Sequence, residues 1–457
     1  MRDLLVMAIV MLSLPLTVRR PFVGLLVFSW LAYMRPQDLC WGFARELRLS
    51  LFVALMMMLG WFIHEQGRRP FARWDVRTRA MSVLAGLVAI SYAFAQRQDA
   101  YTNSYFIEYL KIIAIALFTT AQVDSRQRLR VLLWTIALSL GFFGVKNGVK
   151  GILSGGSQIT RGPGGMLEDN NDFALAMVMN VPLLWYLGIA EGKKWVRQAT
   201  LWALFLTVVV ILLTHSRGAF LALCMSSLWI AWRSGKLFRA VLVLGTVAVL
   251  FPVLAPDSVL ERLSTIGDTK ESSANARLTA WATALRMIQA NPGLGVGMRN
   301  FQTRFLDYSL EPGKVGHTYV AHNSYLQIWA ESGTPAFLVY LVLLGSVFFA
   351  CRKVLRMSEG RPDLAWAGYY ARMMETTTVG FMVGAFFLNR GHFDLVYHWL
   401  ALVSCLAMVA KSAWQQVPEL AGARDRVRRI TVRFARPWGV GQGAAVPSGT
   451  VATPRWR

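Results

Sequence analysis

The sequence predicts an all-α, polytopic integral membrane protein, and three observations carry that reading. Of the 457 residues, 55% are apolar and only 16% charged, whereas a soluble domain carries about 25% charged residues. The apolar residues fall in blocks about 15–20 long, enough to cross a bilayer core of roughly 30 Å as helix. The loops between blocks alternate between rich and poor in Lys and Arg, the positive-inside pattern. Much of the formal charge of +23, from 48 Lys and Arg against 25 Asp and Glu, is therefore a topology signal. This composition excludes a soluble enzyme, a disordered chain and a secreted disulfide scaffold. The four cysteines are scattered; Cys224, Cys351 and Cys405 lie inside apolar stretches, where a thiol behaves as a small hydrophobe.

Apolar windows fall near 4–18, 21–34, 50–64, 80–96, 104–122, 129–145, 172–190, 197–213, 217–232, 237–254, 335–351, 374–389 and 394–411. They predict about twelve transmembrane helices. The first two are short and separated by Arg19-Arg20-Pro21, so they form either an uneven hairpin or one broken element. No small-residue cleavage site follows the opening run, so it is expected to stay as an anchor.

Basic loops lie near 68–79, 126–130, 193–197, 233–239 and 352–372. The other side holds the loops near 35–49, 97–103, 146–171, 214–216, 255–334 and 390–393. The chain thus divides into N-terminal transmembrane helices (1–145) and further helices with a glycine-rich outer loop and a tight turn at Arg217 (146–254). A long outer loop follows (255–334), then C-terminal transmembrane helices (335–412) and a basic tail on the inner surface (413–457). Nothing beyond the tail's charge supports a nucleic-acid partner.

The long outer loop is too long to be a simple connector. Leu278, Trp281, Leu285 and Ile288 recur at helical spacing, so 274–290 reads as an amphipathic helix, stopped by Asn291-Pro292-Gly293. Gly293, Gly295 and Gly297 follow a helix and not a strand, so they read as a turn rather than a nucleotide loop.

Charged residues at the outer face are the candidates for chemistry. Trp195 to Trp232 would span about 57 Å as one helix, so Thr214-His215-Ser216-Arg217-Gly218 marks a tight turn between two spans. Arg217 there either binds an anion or snorkels to the interface. Arg161 sits among six glycines between Gly151 and Gly165; such a loop suits close approach to a phosphate, and equally suits a solvated arginine. Asp169 and Asp172 bracket the start of a span, where they read as helix caps before they read as metal ligands. Four histidines are on the outer side, His215, His317, His322 and His392, without the close spacing of a zinc set. His322, in Ala321-His-Asn-Ser-Tyr-Leu326, is placed either to take a proton from a sugar hydroxyl or to fill a structural site at a helix start.

Three of these features resemble the O-antigen ligase and polymerase superfamily. They are Thr214-His-Ser-Arg-Gly218, the segment Arg277-x-x-x-Trp281 through Pro292-x-x-Gly295-x-Gly297 to Phe301, and Ala321-His-Asn-Ser-Tyr-Leu326 before a span. The opening Met1-Arg-Asp-Leu-Leu5, with Arg20-Pro-Phe22 and Trp41-Gly-Phe-Ala44, is similar to the exosortase A-associated O-glycosylation ligases. The resemblance implies a metal-independent, inverting glycosyltransferase of the bacterial inner membrane, GT-C-like, without cofactor, whose active site faces the periplasm. It implies an undecaprenyl-pyrophosphate-linked glycan as donor and, for a ligase, lipid A–core oligosaccharide as acceptor. Carried over, His322 is the general base, and Arg161, Arg217 and Arg277 bind the pyrophosphate. His215, Asn323 and Tyr325 are supporting candidates.

Two relatives would share the donor: a polymerase joining repeat units, and a protein O-oligosaccharyltransferase. A lipid or solute transporter would also be polytopic and basic, but it should show repeated halves and interrupted midplane helices. No such halves are visible.

Overall fold

In the computed structural model, residues 2–235, 272–310 and 318–416 are described. They are all-helical, with no extended strand. The chain forms two units, Met1–Lys411 and Ser412–Arg457; of the second, residues 412–416 are described. The expected span at 237–254, the first part of the outer loop, His317 and the tail from 417 lie outside the described residues.

Each expected span within the described residues overlaps a helix, though the one expected at 374–389 is shifted, its helix running Ala365–Ala385. In chain order these are α1 (Arg2–Arg19), α2 (Pro21–Tyr33), α3 (Leu49–Gly60), α4 (Val76–Ala93), α5 (Ala100–Gln122), α6 (Arg126–Leu153), α7 (Asn170–Ala190), α8 (Lys194–Leu213) and α9 (Arg217–Arg233). The outer loop contributes α10 (Ser272–Ala290), and α11 (Ser324–Ser358), α12 (Ala365–Ala385) and α13 (Asp394–Gln415) follow. Six of them, α5, α6, α7, α8, α11 and α13, are long and apolar enough to cross a membrane. The first two elements are separate helices, broken at Arg20 by φ −138° and Pro21, and packed against each other and α3.

Helix α7 is 83% and α13 78% buried over their apolar windows, so they form the centre, whereas α8 at 28% lies at the periphery. Helices α8, α9 and α12 pack on α7. At the basic end, arginines meet acids: Arg130 grips Glu191 through two hydrogen bonds of 2.5 and 2.6 Å, and Arg233 lies 3.0 Å from the buried Glu375.

Two expectations need correction. The glycine-rich loop was expected to begin at 146, but α6 continues to Leu153. Gly144, Gly148 and Gly151 are packing residues: a Cβ on each would lie 2.2 Å from Thr207, 2.7 Å from the Leu206 carbonyl and 2.1 Å from Leu213, all on α8. Small residues let the two helices approach closely. The helix in the outer loop is present, but its inner face differs. Leu278 and Leu285 are exposed, while Ala280, Ala284, Met287 and Ile288 join Val296, Phe301, Phe305 and Ala330 in a small core. Alanines pack close to the backbone, so they set the contact line and turn the longer leucines outward.

Helix α11 is broken at Gly333 (φ 79°, ψ 174°) just before Pro335. The break is where the outer loop clamps on: Val296 and Gly297 donate their N–H groups to the Ala330 and Glu331 carbonyls, and Thr334 donates to Pro292. Gly295 and Gly333 both have positive φ, and a Cβ on Gly333 would sit 2.0 Å from the Gly293 carbonyl. The glycines of this segment therefore build the turn that fixes the loop to α11.

Candidate active site

The loops expected on the outer side meet at one end of the bundle. Ile159 of the glycine-rich loop donates to the Leu213 carbonyl at 2.9 Å, tying that loop to the α8–α9 turn. The Asn170 amide donates to the Thr214 carbonyl at 3.0 Å. Within the loop, Arg161 pairs with Asp169 in an isolated antiparallel bridge, and Gly162 donates to the Glu168 carbonyl at 2.7 Å. Arg161 is exposed, whereas His215, Arg217 and Arg277 are half-buried. The turn itself is fixed by Ser216, whose side chain caps α9 by accepting from Ala219.

His322 is held from three directions. Asn323 caps α11, its side-chain oxygen accepting from the Tyr325 and Leu326 N–H groups at 2.9 and 3.0 Å. The preceding Ala321 carbonyl accepts from the Trp281 indole at 3.1 Å, one turn beyond Arg277 on α10. Ser324 donates to the Leu388 carbonyl at 2.7 Å and accepts from the Arg390 N–H at 2.8 Å. Through Phe387, which covers Gly218, the same α12–α13 loop also touches the turn that carries Arg217.

The described residues include four non-glycine residues with positive φ: Arg35, His215, Arg299 and His322. All four lie at this end of the bundle, in loops that contact one another. Left-handed backbone costs energy for such residues and concentrates at functional sites, where surrounding structure enforces it.

The His322 imidazole is pulled below the ordinary histidine range, first by burial and next by the Arg277 guanidinium, with the Asp169 carboxylate opposing. It is therefore neutral near pH 7, with a lone pair available for a proton. Arg277 on α10 and Asp169 at the start of α7 both lie close enough to act on the His322 charge. The structure thus brings His322, Arg277, Arg217, His215 and Arg161 to one region.

Asn323 and Tyr325 have their polar atoms committed to the fold. Asn323 is 2% exposed and caps the helix, and the Tyr325 hydroxyl donates to the Met382 carbonyl at 2.9 Å. Both fix the start of α11, directly after His322. Among the described residues, no group of three His, Cys, Asp or Glu side chains converges as a metal-binding set.

The family model for O-antigen ligase matches residues 202–341. An O-antigen ligase domain in this part of the chain supports a member of the O-antigen ligase and polymerase superfamily. The matched region runs from α8 through the tight turn, α10 and His322 into α11, so it contains His215, Arg217, Arg277, His322, Asn323 and Tyr325, whereas Arg161 and Asp169 precede it. It marks the protein as a glycosyltransferase-type enzyme acting on polysaccharide and lipid-linked substrates. Residues 1–192, including Arg161, match a family of unknown function. No curated protein matches the chain.

Several residues at this end were not singled out from sequence. Asp169 read as a helix cap, and it is one, but it is also the carboxylate that acts on His322. Arg390 forms a partly buried ion pair with Asp172, 218 positions away. Arg299 stacks 3.8 Å over the Tyr105 ring. The only sequence signal for Arg390 was its place in the short Asn389-Arg-Gly-His392 loop on the outer side.

Proposed function

We propose that the protein is an O-antigen ligase. It transfers a glycan from undecaprenyl pyrophosphate to lipid A–core oligosaccharide on the periplasmic side of the bacterial inner membrane. Its fold would be GT-C-like, with about twelve crossings. The observation that carries the reading is a neutral, half-buried His322 next to Arg277 within the ligase-family segment, with Asp169 from the preceding region acting on the same imidazole.

In this reaction an acceptor hydroxyl oxygen attacks the anomeric carbon of the donor sugar. The bond from that carbon to the pyrophosphate oxygen breaks, and its electron pair leaves with the lipid pyrophosphate. His322 takes the hydroxyl proton, a role suited to an imidazole kept neutral by its surroundings. Arg161, Arg217 and Arg277 bear fixed positive charge toward the leaving group, and planar guanidinium forks match phosphate oxygens. One displacement inverts the anomeric centre, and no step calls for a metal. Gathering of the arginines with His322 at one end supports this division of labour.

The test uses purified protein, lipid-linked glycan and lipid A–core in the presence of EDTA. Acceptor-dependent, chelator-insensitive formation of glycosylated lipid A is the expected result. Glycan that lengthens without lipid A would make the protein a polymerase. Modification of a protein acceptor alone would make it a protein O-oligosaccharyltransferase.

A further inference from the structure

The outer loop after α2 presses on the loop that carries Arg161, and both sides of this contact lie in residues 1–192, outside the ligase-family segment. Arg35 opens a 3₁₀ turn, Pro36–Leu39, from left-handed backbone (φ 48°, ψ 55°). Its Nε donates to the Asp38 carboxylate, and the Asp38 N–H donates back to the Arg35 carbonyl at 3.0 Å. The turn stands on a fixed base. Cys40 and Ala44 are buried in a small core with Val6, Val10 and Leu31. Asp3, at the start of α1, accepts from the Gly42 and Ala44 N–H groups at 3.0 and 3.2 Å.

The Arg161 loop closes on itself. Arg161 bridges Asp169, and Gly162 donates to the Glu168 carbonyl at 2.7 Å. Gly164 and Gly165 form the tip, both with positive φ (118° and 53°). The Arg35–Asp38 pair lies against that tip. A Cβ on Gly164 would sit 2.8 Å from an Asp38 carboxylate oxygen, and one on Gly165 would sit 2.1 Å from an Arg35 guanidinium nitrogen. Only backbone without a side chain admits the pair this closely. The two roots of the loop are fixed separately, Ile159 by its bond to the Leu213 carbonyl and Asp169 as the cap of α7. A partly exposed ion pair three residues apart, its side chains 24% and 17% accessible, adds little to global stability. Its effect is therefore the local one of holding the tip.

We propose that Arg35 and Asp38 are positioning residues that brace the 161–169 loop and so present the Arg161 guanidinium to the anionic lipid-linked donor. The use made of Arg161 rests on the glycosyl-transfer reading; the bracing of the loop does not. Residues 1–192 thereby serve the donor side of the site, although they lie outside the ligase-family segment. A loop that spends only part of its time in the competent position lowers apparent affinity by that fraction. Losing the brace therefore weakens use of the donor, at most as far as losing Arg161 does, and leaves use of the acceptor unchanged.

The experiment uses full-length protein in lipid nanodiscs and compares Arg35→Gln, Asp38→Ala and Arg161→Gln, with Arg45→Gln on the same outer loop as the control for net charge. Arg35 also acts on the buried Asp394 carboxylate, so Asp38→Ala, which keeps that cation, is the cleaner brace variant. Hydrogen exchange without substrate, read by mass spectrometry, tests the brace through the Gly162, Leu167 and Glu168 N–H groups, which are bonded within the loop. Peptides covering 160–170 should exchange at least about tenfold faster in both brace variants, the scale of one charged hydrogen bond. Exchange over 293–308 and the unfolding temperature should not change, and Arg45→Gln should match the wild type throughout. Transfer from lipid-linked glycan tests the positioning. Donor kcat/KM should fall roughly tenfold or more in the brace variants, no further than in Arg161→Gln, with the acceptor KM unchanged. Adding Arg35→Gln to Arg161→Gln should then cost less than about twofold more, whereas independent defects would multiply. Wild-type exchange over 160–170 in Asp38→Ala, the same changes in Arg45→Gln, or multiplying losses with a raised acceptor KM would overturn the proposal. Exchange is read without turnover, so a chain that transfers nothing would fail the glycosyl-transfer reading while exchange still decides the brace.

Discussion

Replacing Arg277 by Gln removes a cation that acts on the His322 imidazole. Arg277 depresses the imidazole's pKa and Asp169 raises it, so Arg277→Gln must move it up and Asp169→Asn must move it down. Asn at 169 keeps the α7 cap, since Asn and Asp cap helices comparably and the oxygen that accepts from Asn171 and Asp172 at 2.8 and 3.4 Å remains. The base works deprotonated, so activity falls as pH drops through this pKa. The acid limb of the transfer rate should therefore shift to higher pH in Arg277→Gln and to lower pH in Asp169→Asn. On the neutral plateau, Arg277→Gln should also lose about 10²–10³ in turnover, roughly 2.7–4 kcal/mol, the scale of one preorganised donor at a site of growing negative charge. Asp169→Asn should lose little there. Initial rates against pH for the three proteins decide it. Acid limbs that coincide, or that move in the same direction, would refute the electrostatic assignment.

Other consequences follow from the geometry. Asn323→Ala strips the cap from α11 and should cost ~1 kcal/mol, read as a lower unfolding temperature, with Asn323→Asp restoring most of it. Gly333→Ala forces a Cβ toward the Gly293 carbonyl at positive φ; it should destabilise the clamp by about 1–3 kcal/mol and hasten limited proteolysis of 293–308. Arg233→Met leaves the 1% exposed Glu375 side chain without its guanidinium and should cost about 3–5 kcal/mol in thermal unfolding, most of it recovered by adding Glu375→Leu.

The helices, the tight turn at 214–216 and the extent of α10 were legible because hydropathy blocks, turn residues and stop signals are local. The inner face of α10 was not. Helical spacing of Leu278 and Leu285 is the usual sign of a buried stripe, but the partner surface accepts alanines, and a partner surface is not written in the segment itself. The glycines at the end of α6 misled for a similar reason: Gly148 and Gly151 fell in the expected loop, but α8 packs directly against them. His322, Arg217 and Arg277 were marked by their charge in an apolar chain. Their convergence with Asp169, and the ion pair of Arg390 with Asp172, depend on pairings between segments up to 218 positions apart that no window of sequence contains.

The central claim is that His322 is the base for transfer, and His322→Ala tests it most directly. Turnover with lipid-linked glycan and acceptor should fall about 10²–10⁴-fold, the range supplied by a positioned general base. Donor binding and the unfolding temperature should stay close to those of the wild type. Transfer by His322→Ala at the wild-type rate would contradict the account, whatever the acceptor proves to be.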